Sequence, residues 1–145
     1  MNKTQKTSLF LLRLALGWLF LYAGLTKILT PHWSAEGYIK GAKNFVGFYH
    51  WLLSPNILPT VNFLNEWGLT LLGISLILGI FVRLSSKLGI LLMLFYYLVI
   101  LDFPHIGPNS YIVDEHIIYI LALWLISTTE TGKTYSLSNW IKKNK

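Results

Sequence analysis

Four long apolar runs, set apart by short segments that carry most of the charges, restrict what this chain can fold into. The runs cover residues of about 9–29, 62–82, 86–103 and 112–128. An α-helix needs about 20 apolar residues to cross a bilayer, where only helices and closed barrels satisfy their backbone. The chain is 54% hydrophobic and 12% charged, about half the charged share of a soluble domain. The sequence therefore predicts an all-α integral membrane protein, a four-transmembrane-helix bundle that forms one domain over residues 1–145.

The charges between these runs predict an orientation. Nine basic residues fall before the first run or at its start, between the second and third runs, or after the fourth: Lys3, Lys6, Arg13, Arg83, Lys87, Lys133, Lys142, Lys143 and Lys145. By the positive-inside rule that side is cytoplasmic, so both termini are expected in the cytoplasm. Most of the acidic residues fall on the opposite side. We therefore expect a multi-pass protein of the cytoplasmic (inner) membrane of a prokaryote.

The segment between the first two runs is too apolar for a free loop. Residues of about 36–54 predict a short amphipathic helix at the outer interface, with Phe45, Phe48, Tyr49 and Leu52 on its apolar side. Small residues also recur at helical spacing within the runs. Gly17 and Gly24 in the first run, and Gly68 and Gly79 in the second, favour close helix packing.

Several ionisable residues lie at the outer ends of the predicted spans. They are Lys27, Glu66, Asp102, His105, Asp114, Glu115 and His116. A charge within the hydrocarbon boundary is costly unless it is paired or faces an aqueous cavity, so each is a candidate functional residue. We interpret Lys27, Asp102, His105, Asp114 and Glu115 as candidate substrate-binding residues. In an alternative interpretation, Lys27 pairs with Glu66 or Asp102 and only stabilises the bundle.

The fourth run carries the most specific pattern. His116 and Tyr119 lie on one helical stripe, and Glu115 is one turn from Tyr119. An imidazole, a phenol and carboxylates in this arrangement can exchange protons and hydrogen bonds with a polar head group. We interpret Glu66, His116 and Tyr119 as candidate catalytic residues. The alternative is a structural histidine beside an interfacial tyrosine.

Other kinds of chemistry find little support in the sequence. The chain has no cysteine, which excludes disulfides, thiolate metal sites and iron–sulfur clusters bound by this chain. Its histidines lack the HxxxH or HExxH spacing that fixes a metal on one helix. No flavin, haem or nucleotide site is indicated. No basic stripe with interleaved aromatic residues suggests nucleic acid, and the lipid bilayer is the expected environment.

The motifs along the chain resemble the DoxX superfamily, most closely its DoxD branch, the membrane subunit of thiosulfate:quinone oxidoreductase. They are LRLALG at 12–17, YAGLTK at 22–27, NEWG at 65–68, MLFYY at 93–97, VDEHIIY at 113–119 and GKTYSL at 132–137. An acidic residue often follows the last motif in the family, whereas Ser138 stands there in this chain.

This resemblance implies a four-helix membrane protein linked to quinone or sulfur redox chemistry. Quinone is the expected substrate, and a second redox subunit is a possible partner. An anionic sulfur compound would approach from outside near Lys27, while Glu66, His116 and Tyr119 handle protons. The outer face, however, holds more acidic than basic residues and does not attract an anion overall. The alternative is a non-catalytic membrane protein that binds a lipid or small molecule, or scaffolds a redox partner.

Overall fold

A computed structural model describes residues 1–107 and 110–129. The elements, in chain order, are α1 (Lys3–Leu29), α2 (Glu36–Lys40), α3 (Val46–Leu52), α4 (Leu58–Leu78), α5 (Val82–Ile100), β1 (His105–Gly107), β2 (Ser110–Tyr111) and α6 (Glu115–Thr128). The GKTYSL motif at 132–137 and the basic residues of the tail lie outside the described residues.

Three of the described helices are long and apolar enough to cross a membrane: α1, α4 and α5. The fourth, α6, is apolar but has 14 residues. At 1.5 Å per residue it rises about 21 Å, less than the hydrocarbon core of about 30 Å. The predicted fourth run began at residue 112, whereas α6 begins at Glu115. Asp114 is its N-cap residue, so the apolar Ile112 and Val113 lie before the helix. The count of four spans therefore stays a prediction.

A tight turn joins α4 to α5 at one end of the bundle. Gly79 ends α4 in the left-handed conformation, with φ 72°, which glycine adopts without steric cost. The Ser75 side chain donates a hydrogen bond to the Ile80 carbonyl, and its Oγ lies 2.5 Å from Oγ of Ser85. The prediction that Gly79 is a helix-packing residue stays a prediction, while its conformation serves the turn.

Glycines allow α1 and α4 to pack at very short distance. A Cβ on Gly24 would lie 2.5 Å from the backbone nitrogen of Thr70, and one on Gly73 would lie 2.4 Å from that of Leu21. Gly17 is similarly enclosed, so the prediction of close packing for Gly17 and Gly24 is confirmed. The same prediction for Gly68 was wrong, because nothing lies within 4 Å of its added Cβ. The packing glycine of α4 is Gly73.

The main core lies where all four long helices meet. Its fully buried side chains are Phe20, Leu69, Leu76, Leu123 and Ile126. Gly89 of α5 faces Leu123 of α6, which allows these two helices to pack along their length.

The predicted interfacial helix consists of two short helices, α2 and α3. The chain turns between them, and Phe45 adopts a left-handed φ of 51° immediately before α3. Tyr49 is buried and Leu52 packs against the same small core, as expected of the apolar side. Phe45 and Phe48 are instead exposed on the protein surface.

Hydrogen bonds hold the α2–α3 segment against the end of α5. Tyr38 Oη donates to the carbonyl of Tyr96 at 3.0 Å, and Tyr49 Oη donates to that of Phe95 at 2.9 Å. The Asn44 amide donates to the Leu101 carbonyl. This end of the bundle, which we call the α2–α3 end, lies opposite the α4–α5 turn.

A small hairpin departs from the all-α prediction. Strands β1 and β2 pair antiparallel, with His105 opposite Tyr111. The predicted third span, 86–103, extends too far, because α5 ends at Ile100 and Asp102 already pairs with His105 in a turn.

Candidate functional site

A cavity of about 700 Å³ opens at the α2–α3 end of the bundle. Its walls come from the ends of α1, α4, α5 and α6 and from α2 and α3, and most of the lining is aliphatic or aromatic. The polar side chains in the lining are Lys27, Ser34, Tyr38, Tyr49, Asn65, Tyr96, Glu115 and His116. A largely apolar cavity of this size with a few polar groups is typical of a small-molecule site.

Three neighbouring polar residues of the cavity form a hydrogen-bonded chain. The Tyr96 hydroxyl donates to Oδ1 of Asn65, and the Asn65 amide donates to the Val61 carbonyl at 2.9 Å. Tyr38 donates to the backbone carbonyl of Tyr96. The Tyr96 ring also meets the His116 ring edge to face, with centroids 6.0 Å apart. The cavity therefore has a defined polar region within an apolar wall.

The Tyr38 hydroxyl stays protonated over the physiological pH range. Burial raises its pKa to about 12, and the negative charges of Asp114 and Glu115 add to the effect. A phenol with so high a pKa acts as a hydrogen-bond donor rather than as a base.

His116 enters the cavity with Asp114 behind it. Nδ1 of His116 lies 2.6 Å from Oδ2 of Asp114, and the side chains are 14% and 9% exposed. Oδ1 of Asp114 accepts from the backbone N–H groups of His116 and Ile117, at 3.1 and 3.3 Å, and so caps α6. In neutral His116, an Nδ1–H donated to Asp114 leaves Nε2 as a proton acceptor.

Lys27 contributes a positive charge without a carboxylate partner among the described residues. Its Nζ atom donates to the Ala23 carbonyl at 3.3 Å and lies 5.3 Å from the centre of the Trp33 ring. The pairing with Glu66 or Asp102 that the sequence allowed is not found. Asp102 instead contacts Lys43, with 2.5 Å between the carboxylate and ammonium groups.

The structure brings together only some of the predicted site residues. Lys27, Glu115 and His116 line the cavity, and Asp114 supports His116. Glu66 lies on α4 next to Asn65 but does not contribute to the lining. Tyr119 does not line the cavity either; its ring packs against Phe20 and His116, with both centroid distances 6.5 Å.

Two further predicted residues do not line the cavity: Asp102 lies in the exposed turn before β1, and His105 is the first residue of β1. Conversely, sequence reasoning did not identify Tyr38, Asn65 or Tyr96. Asn65 is adjacent to Glu66, which was selected. Its polar side chain within an apolar run is the sequence feature that could have identified it. Within the described parts of the chain, no three His, Cys, Asp or Glu side chains form a group able to hold a metal ion.

Three helices able to cross a bilayer, with an amphiphilic cavity at one end, define an α-helical multi-pass membrane protein. The sequence profile of the DoxX family matches residues 8–102, and this chain belongs to the DoxX family. No curated protein and no solved structure matches it. The matched stretch includes α1 to α5, so Asp114, Glu115 and His116 lie beyond it.

Proposed function

We propose that this protein binds a membrane quinone in the cavity at the α2–α3 end and serves as the quinone-interacting subunit of a membrane oxidoreductase. One observation carries the proposal: a single, largely apolar cavity is lined both by the hydrogen-bonded Tyr96 and Asn65 and by His116, which Asp114 contacts from outside the lining. The protein would lie in the cytoplasmic membrane of a prokaryote, with both termini in the cytoplasm.

The size and polarity of the cavity suit a quinone. A volume of about 700 Å³ admits a quinone ring and the first part of its tail. The two ring oxygens of a quinone accept hydrogen bonds, and after reduction they carry hydroxyl groups that donate them. The Asn65 amide has a second N–H that can donate to a quinone oxygen, and the Tyr96 hydroxyl oxygen can accept from a hydroxyl group of the reduced form. The aromatic and aliphatic walls contact the ring and the tail.

Proton transfer is the chemistry that the cavity residues would perform. Reduction of a quinone takes up two electrons and two protons, one on each oxygen. Protonated His116, supported by Asp114, would deliver one of these protons from Nε2, and water at the polar end of the cavity would supply the other. The electrons would come from a second redox subunit. Our prediction of proton-handling roles for Glu66 and Tyr119 has less support, since neither residue contributes to the lining.

The charges of the cavity favour an uncharged head group. Among the described lining residues the charged side chains are Lys27 and Glu115, and Asp114 adds a carboxylate directly behind His116. A phosphodiester or a sulfur dianion would need several cationic partners to offset its desolvation. In a thiosulfate:quinone type of reaction, we therefore expect the sulfur anion to bind to a partner subunit rather than in this cavity.

The second candidate function is non-catalytic binding of a lipid or another small molecule. The apolar lining of the cavity would be sufficient for this function, without the polar residues. The two functions differ in what the purified protein carries. We expect about one quinone per chain after gentle detergent extraction, and quinone reduction when a partner subunit is present. A protein that carries phospholipid but no quinone, and shows no turnover with candidate partners, would contradict the proposed function.

A further inference from the structure

The helices α4 and α5 both line the cavity at the α2–α3 end of the bundle. At the opposite end they are joined by a turn in which Ser75 and Ser85 are in contact, with 2.5 Å between their Oγ atoms. Nearer the α2–α3 end, Leu64 of α4 and Phe95 of α5 both line the cavity. The two helices therefore present apolar side chains to the cavity at the level where the Tyr96 hydroxyl reaches Asn65.

Three lining residues on this side of the cavity are also exposed on the outer surface. Leu64 is 58% exposed, Phe48 of α3 is 44% exposed and Phe95 is 39% exposed. A side chain that both lines a cavity and reaches the surface marks an opening. The rings of Phe48 and Phe95 stack with centroids 6.1 Å apart and form one edge of it. Leu64 and Phe95 belong to candidate membrane spans, so the opening faces lipid.

The charged residues of the cavity come from other helices, and the ring of Tyr96, whose hydroxyl donates to Asn65, meets the ring of His116 there. The charged lining residues Lys27 and Glu115, and also His116, belong to α1 and α6, whereas the exposed apolar rim belongs to α3, α4 and α5. An amphiphile whose polar head lies near α1 and α6 would have its apolar tail at the rim.

We propose that the ligand enters sideways from the bilayer, through an opening rimmed by Phe48, Leu64 and Phe95, and that it is a long-chain quinone whose isoprenoid tail remains in that opening. This inference rests on the proposed function and adds the entry route and the ligand class. The head group reaches the polar end without crossing water, while the tail never leaves the lipid. A quinone without a tail fits inside the cavity and needs the opening only transiently.

Because the chain has no cysteine, the opening can be obstructed at one chosen position. The test variant is Leu64→Cys, labelled in detergent with a bulky maleimide and then reconstituted into nanodiscs. The matched control is Leu71→Cys, two helical turns further along α4, because Leu71 is 59% exposed and does not line the cavity. Binding of a decaprenyl quinone and of tailless duroquinone is then titrated for each labelled and unlabelled protein.

We expect the label at position 64 to weaken decaprenyl quinone binding at least tenfold more than it weakens duroquinone binding. The label at position 71 should leave both affinities unchanged. Equal decaprenyl quinone affinity in the two labelled proteins would overturn the sideways route and leave the proposed function standing. Loss of both ligands with the label at position 64 would overturn the location of the tail. If the unlabelled proteins bind neither quinone, the proposed function itself fails.

Discussion

Nδ1 of His116 lies 2.6 Å from Oδ2 of Asp114, and the same aspartate caps the helix that carries the histidine. One carboxylate therefore fixes both where α6 begins and how the imidazole is oriented. The two carboxylate oxygens have different roles: Oδ1 accepts hydrogen bonds from the backbone of α6, and Oδ2 contacts the imidazole ring. A substitution that keeps the cap while it changes the partner of the ring can distinguish the two roles.

Asp114→Asn should preserve the fold and weaken quinone binding by about tenfold, or about 1.4 kcal/mol. Asparagine is as good an N-cap as aspartate, so the melting temperature should stay close to that of the wild type. The imidazole, however, loses its charged partner. Asp102→Asn is the matched control, since Asp102 lies in an exposed turn outside the cavity lining. Equal quinone affinities in the two variants would show that Asp114 only caps α6 and does not contribute to quinone binding.

Gly73→Ala should lower the free energy of unfolding by about 1–3 kcal/mol, the usual cost of overpacking. Its added methyl group would lie 2.4 Å from the backbone nitrogen of Leu21, which cannot move without shifting α1. Gly68→Ala is the control, because the space beside Gly68 is open and alanine favours a helix. Denaturant unfolding in mixed micelles measures both. A Gly73→Ala protein as stable as the Gly68→Ala protein would contradict the close packing of α1 and α4.

The orientation in the membrane can be tested with the same cysteine-free chain. Lys43→Cys lies at the α2–α3 end and Lys87→Cys lies near the α4–α5 turn, and both positions are exposed. From the positive-inside rule we expect an impermeant maleimide to label intact cells at position 43 and to reach position 87 only after permeabilisation. Labelling in the reverse order would invert the predicted topology. An external C-terminal reporter would contradict four crossings.

The sequence predicted the long helices well because membrane burial requires uninterrupted apolar runs, and α1, α4 and α5 follow three of them. It predicted α6 less well, because Ile112 and Val113 continue the apolar run although Asp114 begins the helix. Helical spacing also failed to distinguish Gly68 from Gly73. Both lie on α4, and only the position of α1 decides which of them is enclosed.

The residues of the candidate site were likewise predicted only in part. Lys27, Glu115 and His116 were identified because ionisable groups near the hydrocarbon boundary are costly without a function. Asn65 and Tyr96 were missed because a neutral polar residue carries a smaller penalty. Their partnership also depends on the packing of α4 beside α5, which two positions separated by 31 along the chain do not reveal. Glu66 was selected for its charge, although its neighbour Asn65 contributes to the cavity lining.

Photoaffinity mapping tests whether the cavity at the α2–α3 end holds a quinone head group. A quinone with a photoreactive group on its ring is irradiated with the protein in nanodiscs, and the modified peptides are identified by mass spectrometry. We predict adducts in the peptides that contain Asn65, Tyr96 or His116, and their loss when excess unlabelled quinone is present. Adducts confined to the α4–α5 turn, or adducts that unlabelled quinone does not suppress, would contradict this location of the head group.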